Sequence, residues 1–508
     1  MLAKIMSFGL LGIEAYPVEI EIDISRGLPA VTVVGLADTA IRESKERVKA
    51  AIKNSGFSWP PERITISLAP SDLKKEGASF DLPIALGVLA ASGQLDIQRL
   101  KNYYVLGELS LDGFVRPVKG ILPISMAAAK TIGKNLVIPE DNAREAALVR
   151  GIDSYPIRSL RETVELVHQQ HMIKPLAPDM EAIFKNIPDY TVDFSEVKGQ
   201  FFAKRALEVA VAGNHNLLMI GPPGSGKTML AKRIPTIMPE LSLEEALEIT
   251  KIHSVSGSPL SKEGINFLRP FRNPHHSISD VALVGGGSLP QPGEISLAHQ
   301  GVLFLDELPE FHRSCLEGLR QPLEDGSIHI CRIARNFSFP ASFMLVCAMN
   351  PCPCGYYTDP TKNCRCNPGK IAGYMNKISG PLLDRIDIHI ELPPLKYKEI
   401  TDKNEAEASL SIKSRVEKAR ELQRQRLKNE GIVYNSQLNA KMIKKFCFLS
   451  SAPAELLKAA MKELGLSARA YDKILKVSRT IADLAGSEII ETGHVKEAIH
   501  YRSLDMQR

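Results

Sequence analysis

The sequence predicts an α/β protein in which a phosphate-binding core stands between a mixed α/β domain and a helical C-terminal region. Three observations predict it. Gly221-Pro222-Pro223-Gly224-Ser225-Gly226-Lys227-Thr228 follows a short apolar run, 217–220, and precedes a helix-forming run from Met229, the strand–loop–helix setting that a phosphate loop requires. A second buried-type run, 302–305, ends in Asp306-Glu307. Beyond residue 395 the chain reads as charged helical stretches.

The 508 residues are enough for two to four domains, each with its own core. A composition of 44% hydrophobic and 24% charged residues is that of a soluble globular protein. No apolar run approaches the roughly 20 residues that span a bilayer, and Met1 to Met6 lacks the apolar core and cleavage site of a signal peptide. The expectation is a cytoplasmic protein with no membrane partner. The net charge of +5 permits nucleic-acid binding without requiring it. Its distribution is uneven: from Lys396 onward there are about 22 Lys plus Arg against about 15 Asp plus Glu. A solvated helical surface accounts for that excess as well as a nucleic-acid face does.

In chain order, residues 31–34, 64–68 and 104–106 are β-rich runs. Between the first two, Asp38 can cap a helix that shows Ile41, Val48 and Ile52 on one face and ends at Gly56. Residues 82–91 are apolar all round, the mark of a buried helix. A Pro-punctuated linker follows through Lys174, Pro175, Pro178 and Pro188. The nucleotide motifs fall between Asp193 and Leu392-Pro393-Pro394. Helices are expected at 409–428, at 454–485 with a break at Gly465, and at 492–501. The expected division is 1–172, a linker at 173–192, a core at 193–395 with a four-cysteine insertion at 352–366, and a helical region at 396–508.

The phosphate loop turns backbone N–H groups inward and adds a helix N-terminus, both suited to phosphate. Lys227 is placed to reach the β- and γ-phosphates, and the Thr228 hydroxyl to ligate Mg²⁺. Asp306, at a strand end, can hold the Mg²⁺ shell while Glu307 polarises the attacking water. A third run, 343–349, ends in Asn350, which reads as a water-positioning amide or as a simple strand-end cap. Hydrolysis of this kind is completed by an arginine from a neighbouring subunit. Arg385, in Leu382-Leu383-Asp384-Arg385-Ile386-Asp387, and Arg469 are the candidates; a surface ion pair is the alternative for each.

Taken together, these residues resemble the Mg-chelatase-like AAA+ proteins called the YifB/ComM family, and the resemblance runs nearly the whole chain. Its most specific stretches are Gly199-Gln200 with 204–208, Arg269-Pro270-Phe271-Arg272 with Pro274-His275-His276, 292–299, 305–311, Ala348-Met349-Asn350-Pro351-Cys352-Pro353-Cys354-Gly355 and 379–387. The resemblance implies a Lon-protease-like (S5-type) N-terminal domain, an AAA+ core and a helical lid shared with magnesium chelatase. It also implies ATP and Mg²⁺, a homo-hexameric ring, and a DNA helicase that drives branch migration during recombination or natural transformation, with recombination proteins as further partners. Two segments fit the pore elements of such rings, 253–278 and 328–339. Arg272, His275, His276, Arg332 and Arg335 are the DNA-contact candidates they offer, although two adjacent histidines in a Pro-rich turn are as often structural.

The Lon-like domain raises a protease reading that its own residues test. A Ser nucleophile needs a Lys within hydrogen-bond reach. Ser79, in Lys75-Glu76-Gly77-Ala78-Ser79, falls at the nucleophile position, but Leu122 stands where the lysine is expected, and Lys119 and Lys130 do not match it. Peptidase activity is therefore the least favoured function. A chelatase-type motor that remodels a protein partner is the main alternative to the DNA motor.

Four of the eight cysteines cluster as Cys352-Pro353-Cys354 and Cys364-Arg365-Cys366. Four thiolates in so short a segment can close around a structural Zn²⁺. The C-x-C spacing is tighter than the usual C-x-x-C, and a reduced, metal-free loop is the competing reading.

Overall fold

A computed structural model describes the chain except for Met1, Ala37, Glu76, Ser288, Thr358, Thr361 and residues 132–134, 171–172, 178–188, 332–335, 395–405 and 503–508. It divides into two compact units. The first comprises Met1–Ile187, Leu243–Asn266 and Ser288–Pro292; the second comprises Pro188–Ser242, Phe267–Gly287 and Gly293–Arg508. The first unit thus takes in two stretches that lie, along the sequence, among the nucleotide motifs. The expected segment 253–278 is split between the units at residue 266.

The first unit is built on a seven-stranded mixed sheet. Leu2–Leu11 and Glu14–Ser25 form its longest hairpin, antiparallel from Leu2 opposite Asp23 to Leu11 opposite Glu14. Arg63–Ala69 pairs antiparallel with the second of these and parallel with Ala30–Val34. On the other side, Tyr103–Val105, Asn135–Pro139 and Ser154–Ile157 add in parallel. The hairpin escaped the sequence reading, although Val18, Ile20 and Ile22 are buried in strict alternation with Glu19 and Glu21, a period of two that marks a half-covered strand. Helix Thr39–Asn54 starts where Asp38 accepts from the Ile41 N–H at 2.8 Å and buries Ile41, Val48 and Ile52. All eleven residues of helix Asp81–Ala91 are buried, as an apolar circumference demands.

Leu122 is fully buried, and its N–H donates to Glu145 Oε1 at 2.8 Å. Burial pushes the Glu145 carboxyl above its ordinary value. Ser79, Lys119, Asp38 and Glu108 line a cavity of about 560 Å³, but no hydrogen bond joins Ser79 Oγ to Lys119 or Lys130.

The second unit carries a five-stranded parallel sheet, in the spatial order Phe271–Arg272, Val302–Leu305, Met344–Met349, Leu217–Ile220, Ile388–Glu391. The three middle strands are buried along their whole length, so their sequences are continuous apolar runs rather than alternating ones. Helices Ser409–Leu427, Ala440–Phe446, Ser451–Glu463, Ala468–Leu484 and Thr492–His500 follow. The break between the third and fourth falls at Gly465, whose φ is +60°. The short helix Ala440–Phe446 was not anticipated. Ile412, Val416, Ile474, Val477 and Ile481 pack with Val209, Leu217 and Met219 in one apolar core. The helical region and the sheet are therefore a single packed body. Among the described residues no helix is long and apolar enough to cross a membrane.

One ionic cluster ties the helices to the sheet. Asp387, just before the strand Ile388–Glu391, lies 3.3 Å from Lys473 Nζ and 3.3 Å from His215 Nδ1, and accepts from the Asn216 N–H at 3.3 Å. Burial works to raise this carboxyl, but Lys473 and His215 outweigh it and hold it well below the carboxylate range. Asp387→Ala leaves the largely buried Lys473 ammonium without its carboxylate, with only the Ile386 carbonyl to accept from it. We expect it to lower stability by about 3 kcal/mol, as loss of one partner of a buried pair does, read as a lower urea midpoint for the second unit. An unchanged midpoint would contradict this account.

Candidate nucleotide site

The polar residues of the second unit collect where three parallel strands end. Ile220 stands opposite Met349, and Leu305 opposite Cys347. Parallel strands carry their carboxyl ends to one edge, so Gly221, Asp306 and Asn350 emerge side by side. The Gly221 N–H donates to Met349 O at 3.2 Å. Gly224 and Gly226 adopt φ of +81° and +90°, and an added Cβ at either would meet nothing within 4 Å. Glycine is required there for its backbone conformation, not for room.

Lys227 Nζ donates to Gly221 O (2.7 Å), Pro222 O (3.0 Å) and Asn350 Oδ1 (3.2 Å). Burial pushes its ammonium below the ordinary value, against the pull of Asp306 and Glu307. An anion in the loop would offset that penalty and favour the charged form. Thr228 Oγ1 donates to Asp306 Oδ2 at 2.7 Å. Ser225 Oγ is buried with no hydrogen-bond partner among the described residues. An open glycine cradle, an orphan hydroxyl, a desolvated lysine and a Thr–Asp pair are the donor set that a Mg²⁺-bound nucleoside triphosphate would satisfy.

Glu307 follows Asp306 in the left-handed region, with φ +54°. For a side chain other than glycine this costs on the order of 1–3 kcal/mol, a strain found at functional sites. Its Oε2 lies 3.3 Å from His276 Nδ1, and the His276 ring contacts His275 (centroids 4.1 Å) and the edge of Phe311. Arg272 makes a two-pronged pair with Glu294 at 2.6 and 2.7 Å, and His275 Nδ1 lies 2.8 Å from Ser277 Oγ. Of the five residues considered for DNA contact, Arg272 and His276 thus face carboxylates and His275 a hydroxyl. Arg332 and Arg335 lie outside the described residues.

The two candidate arginines stand apart from the phosphate loop within the chain. Arg385 pairs with Glu324 and donates to Pro381 O at 2.6 Å. Arg469 is exposed and pairs with Asp384 at 2.8 Å. Neither makes a hydrogen bond or ion pair to residues 221–228. Asn216 holds the Arg385 backbone, its Nδ2 donating to Arg385 O at 3.0 Å while its Oδ1 accepts from the Leu345 N–H at 2.9 Å.

Beyond Asn350 the four cysteines converge. Cys352 Sγ lies 3.3 Å from Cys354 Sγ and 3.7 Å from Cys364 Sγ, and Cys354 and Cys364 are 3.6 Å apart. All four sulfurs, Cys366 included, lie within 4.8 Å of one another. These separations are too long for a disulfide. A tetrahedral zinc with Zn–S of about 2.3 Å has sulfurs about 3.8 Å apart. The donor set fits a closed zinc site.

Three positions were not assigned a role from sequence. Gln200 Nε2 donates to Ser225 O (3.3 Å) and Pro393 O (2.9 Å), bracing the loop; Gly199-Gln200 stood out only as a specific stretch. The Tyr374 hydroxyl lies beside the backbone of Asn350, and burial pushes it up to about 12. No local pattern points to it. The adjacent histidines were noticed, but nothing in their spacing directs His276 to Glu307.

Comparison with known proteins fits this geometry. Residues 193–400 match the family described as magnesium chelatase, subunit ChlI; residues 20–142 match subunit ChlI of Mg-chelatase, and residues 406–502 match the ChlI C-terminal region. The chain is 46% identical over 506 residues to competence protein ComM of Haemophilus influenzae, covering 99% of this chain and 98% of that one. It is 45% identical over 498 residues to the uncharacterized protein YifB of Escherichia coli, covering 97% and 96%. A shorter likeness, 26% over 126 residues, links 25% of this chain to 22% of Lon protease 2 of Bacillus subtilis. With its Lon-like mixed α/β first unit, its parallel-sheet phosphate-loop core and its helical C-terminal region, the chain belongs to the ComM/YifB family of Mg-chelatase-like AAA+ ATPases.

Proposed function

We propose that this protein is the subunit of an ATP-driven ring, a homo-hexamer, that moves DNA and drives branch migration during recombination or natural transformation. The observation that carries this reading is the 46% identity, over nearly the full length of both chains, to a protein named for competence. The Lys- and Arg-rich region after residue 395 supports it, since cations that neutralise phosphates supply most non-specific DNA affinity.

In this reading Lys227 neutralises the β- and γ-phosphates, while Thr228 and Asp306 hold Mg²⁺. The bound Mg²⁺–ATP supplies a transferable phosphoryl group with its charge partly screened. Glu307 accepts a proton from the attacking water, and Asn350 orients that water. Arg385 and Arg469, which stand away from their own phosphate loop, reach the loop of the neighbouring copy. We further propose the sequence division 1–172, 173–192, 193–395 and 396–508, within which 243–266 and 288–292 pack with the first unit, and the first domain as a platform rather than a peptidase because Leu122 cannot accept a proton. The four thiolates of Cys352, Cys354, Cys364 and Cys366 hold one structural Zn²⁺.

A second reading is a chelatase-type motor that remodels a protein partner. All three family matches carry Mg-chelatase descriptions, including the one at residues 20–142, so possession of the first domain does not by itself separate the two readings.

Strand displacement on a forked or three-stranded DNA tests the proposal. Wild type should displace strands with ATP, and Lys227→Ala and Glu307→Gln should not; DNA-independent ATPase without displacement would favour the remodelling reading. Arg385→Ala is expected to bind ATP normally while kcat falls about 10³-fold, the scale of a lost arginine finger. Turnover surviving in that variant would remove Arg385 from the site. For His276→Ala, if its pairing with Glu307 restrains that carboxylate, ATPase without DNA should rise about threefold or more, on the order of 0.6 kcal/mol; an unchanged rate would make the pair incidental.

A further inference from the structure

The four-cysteine centre is joined to the phosphate loop at more than one point. Cys352 is fully buried and lies two residues beyond Asn350, whose side chain accepts from Lys227. The turn that follows is closed by the Gly355 N–H donating to Cys352 O at 2.9 Å. Gly355 has φ +85°, and a Cβ there would sit 2.7 Å from Pro223 Cδ and 2.9 Å from its Cγ. The turn therefore lies flush against the phosphate loop, and only glycine allows the approach. On the far side of the centre, helix Pro368–Met375 begins directly after Cys366, capped by the Asn367 side chain. From it the Tyr374 side chain returns beside the Asn350 backbone. The chain from 350 to 374 is thus a loop whose two ends meet at Asn350, with four sulfurs at its neck.

We propose that this centre is a positioning clamp for the nucleotide site: a zinc ion held by Cys352, Cys354, Cys364 and Cys366 fixes Asn350 and the Gly355 turn against Lys227 and Pro223, so that ATP turnover depends on the metal. This rests on the zinc reading given above. The physical reason is that the knuckle has few apolar contacts of its own. Pro351, Cys352 and Gly355 are buried, whereas Cys354, Cys364 and Cys366 are only partly covered and Tyr357 is exposed. Metal ligation then supplies the order that an apolar core supplies elsewhere. Outer-shell groups around metal centres commonly act over such short connections.

The test uses the full-length protein. Zinc content is measured on the wild type as purified, after dialysis against a chelator and return to Mg²⁺ buffer, and after re-addition of Zn²⁺. The expected result is about one zinc per chain, a fall in kcat of about tenfold or more on removal with a much smaller change in KM for ATP, and recovery on re-addition. Gly355→Ala keeps all four ligands but forces a methyl group toward Pro223. It should retain its zinc and fold yet lose kcat on a similar scale, and added Zn²⁺ should not rescue it. Absence of stoichiometric zinc in the wild type would defeat the zinc reading itself. Stoichiometric zinc whose removal leaves kcat unchanged, or a zinc-loaded Gly355→Ala with wild-type kcat, would overturn the clamp while leaving the metal site intact.

Discussion

The site depends first on the register of three buried parallel strands. With Ile220 opposite Met349 and Leu305 opposite Cys347, the phosphate loop, Asp306-Glu307 and Asn350 leave the sheet at neighbouring points. A slip of one residue would turn every side chain of a strand to the opposite face. Leu217–Ile220, Val302–Leu305 and Met344–Met349 are buried throughout, so their backbone groups must remain paired with one another. That requirement makes 3 Å contacts such as Lys227–Asn350 and Thr228–Asp306 reproducible features of the fold.

A second constraint carries this order outward. Asp387 lies beside Lys473 Nζ and His215 Nδ1 and accepts a backbone hydrogen bond from Asn216. Asn216 in turn holds the backbone of Arg385 and of Leu345, and Arg502 Nη1 donates to Ile386 O at 2.9 Å. The segment bearing Arg385 is therefore fixed simultaneously by the start of the phosphate-loop strand, by the strand ending in Asn350 and by the helical region. A change in any of these has a short mechanical route to the arginine. Buried pairs of this type add little net stability over an apolar replacement; what they supply here is the direction of one loop.

Around the nucleotide loop, the groups that bear on catalysis arrive from segments distant in sequence. His276 meets Glu307 from the connection after the edge strand Phe271–Arg272, Gln200 braces Ser225 from just before helix Phe201–Gly213, and the cysteine knuckle presses on Pro223 through Gly355. Each touches a different part of the site: Glu307, the cradle backbone and the proline rim. Their common feature is that they act on position rather than on bound charge, which suits a site that an ATPase must open and rebuild in every cycle.

The sequence by itself determined the parts whose signal is local. The phosphate loop, the acidic pair after an apolar strand, the capped helix from Asp38 to Gly56, the all-apolar run 82–91 and the sulfur-rich segment each announce themselves within ten to twenty residues, because backbone conformation and burial are dictated by neighbours along the chain. The opening hairpin is equally legible in the alternation of Val18, Ile20 and Ile22 with acidic residues. Tertiary structure alone decided the rest: that residues 243–266 belong with the first unit, that His276 faces Glu307, that Asp387 gathers Lys473 and His215, and that Gly355 lies on Pro223. These depend on which surfaces meet after the chain has folded, over separations of tens to hundreds of residues, and no local periodicity encodes a partner at that distance.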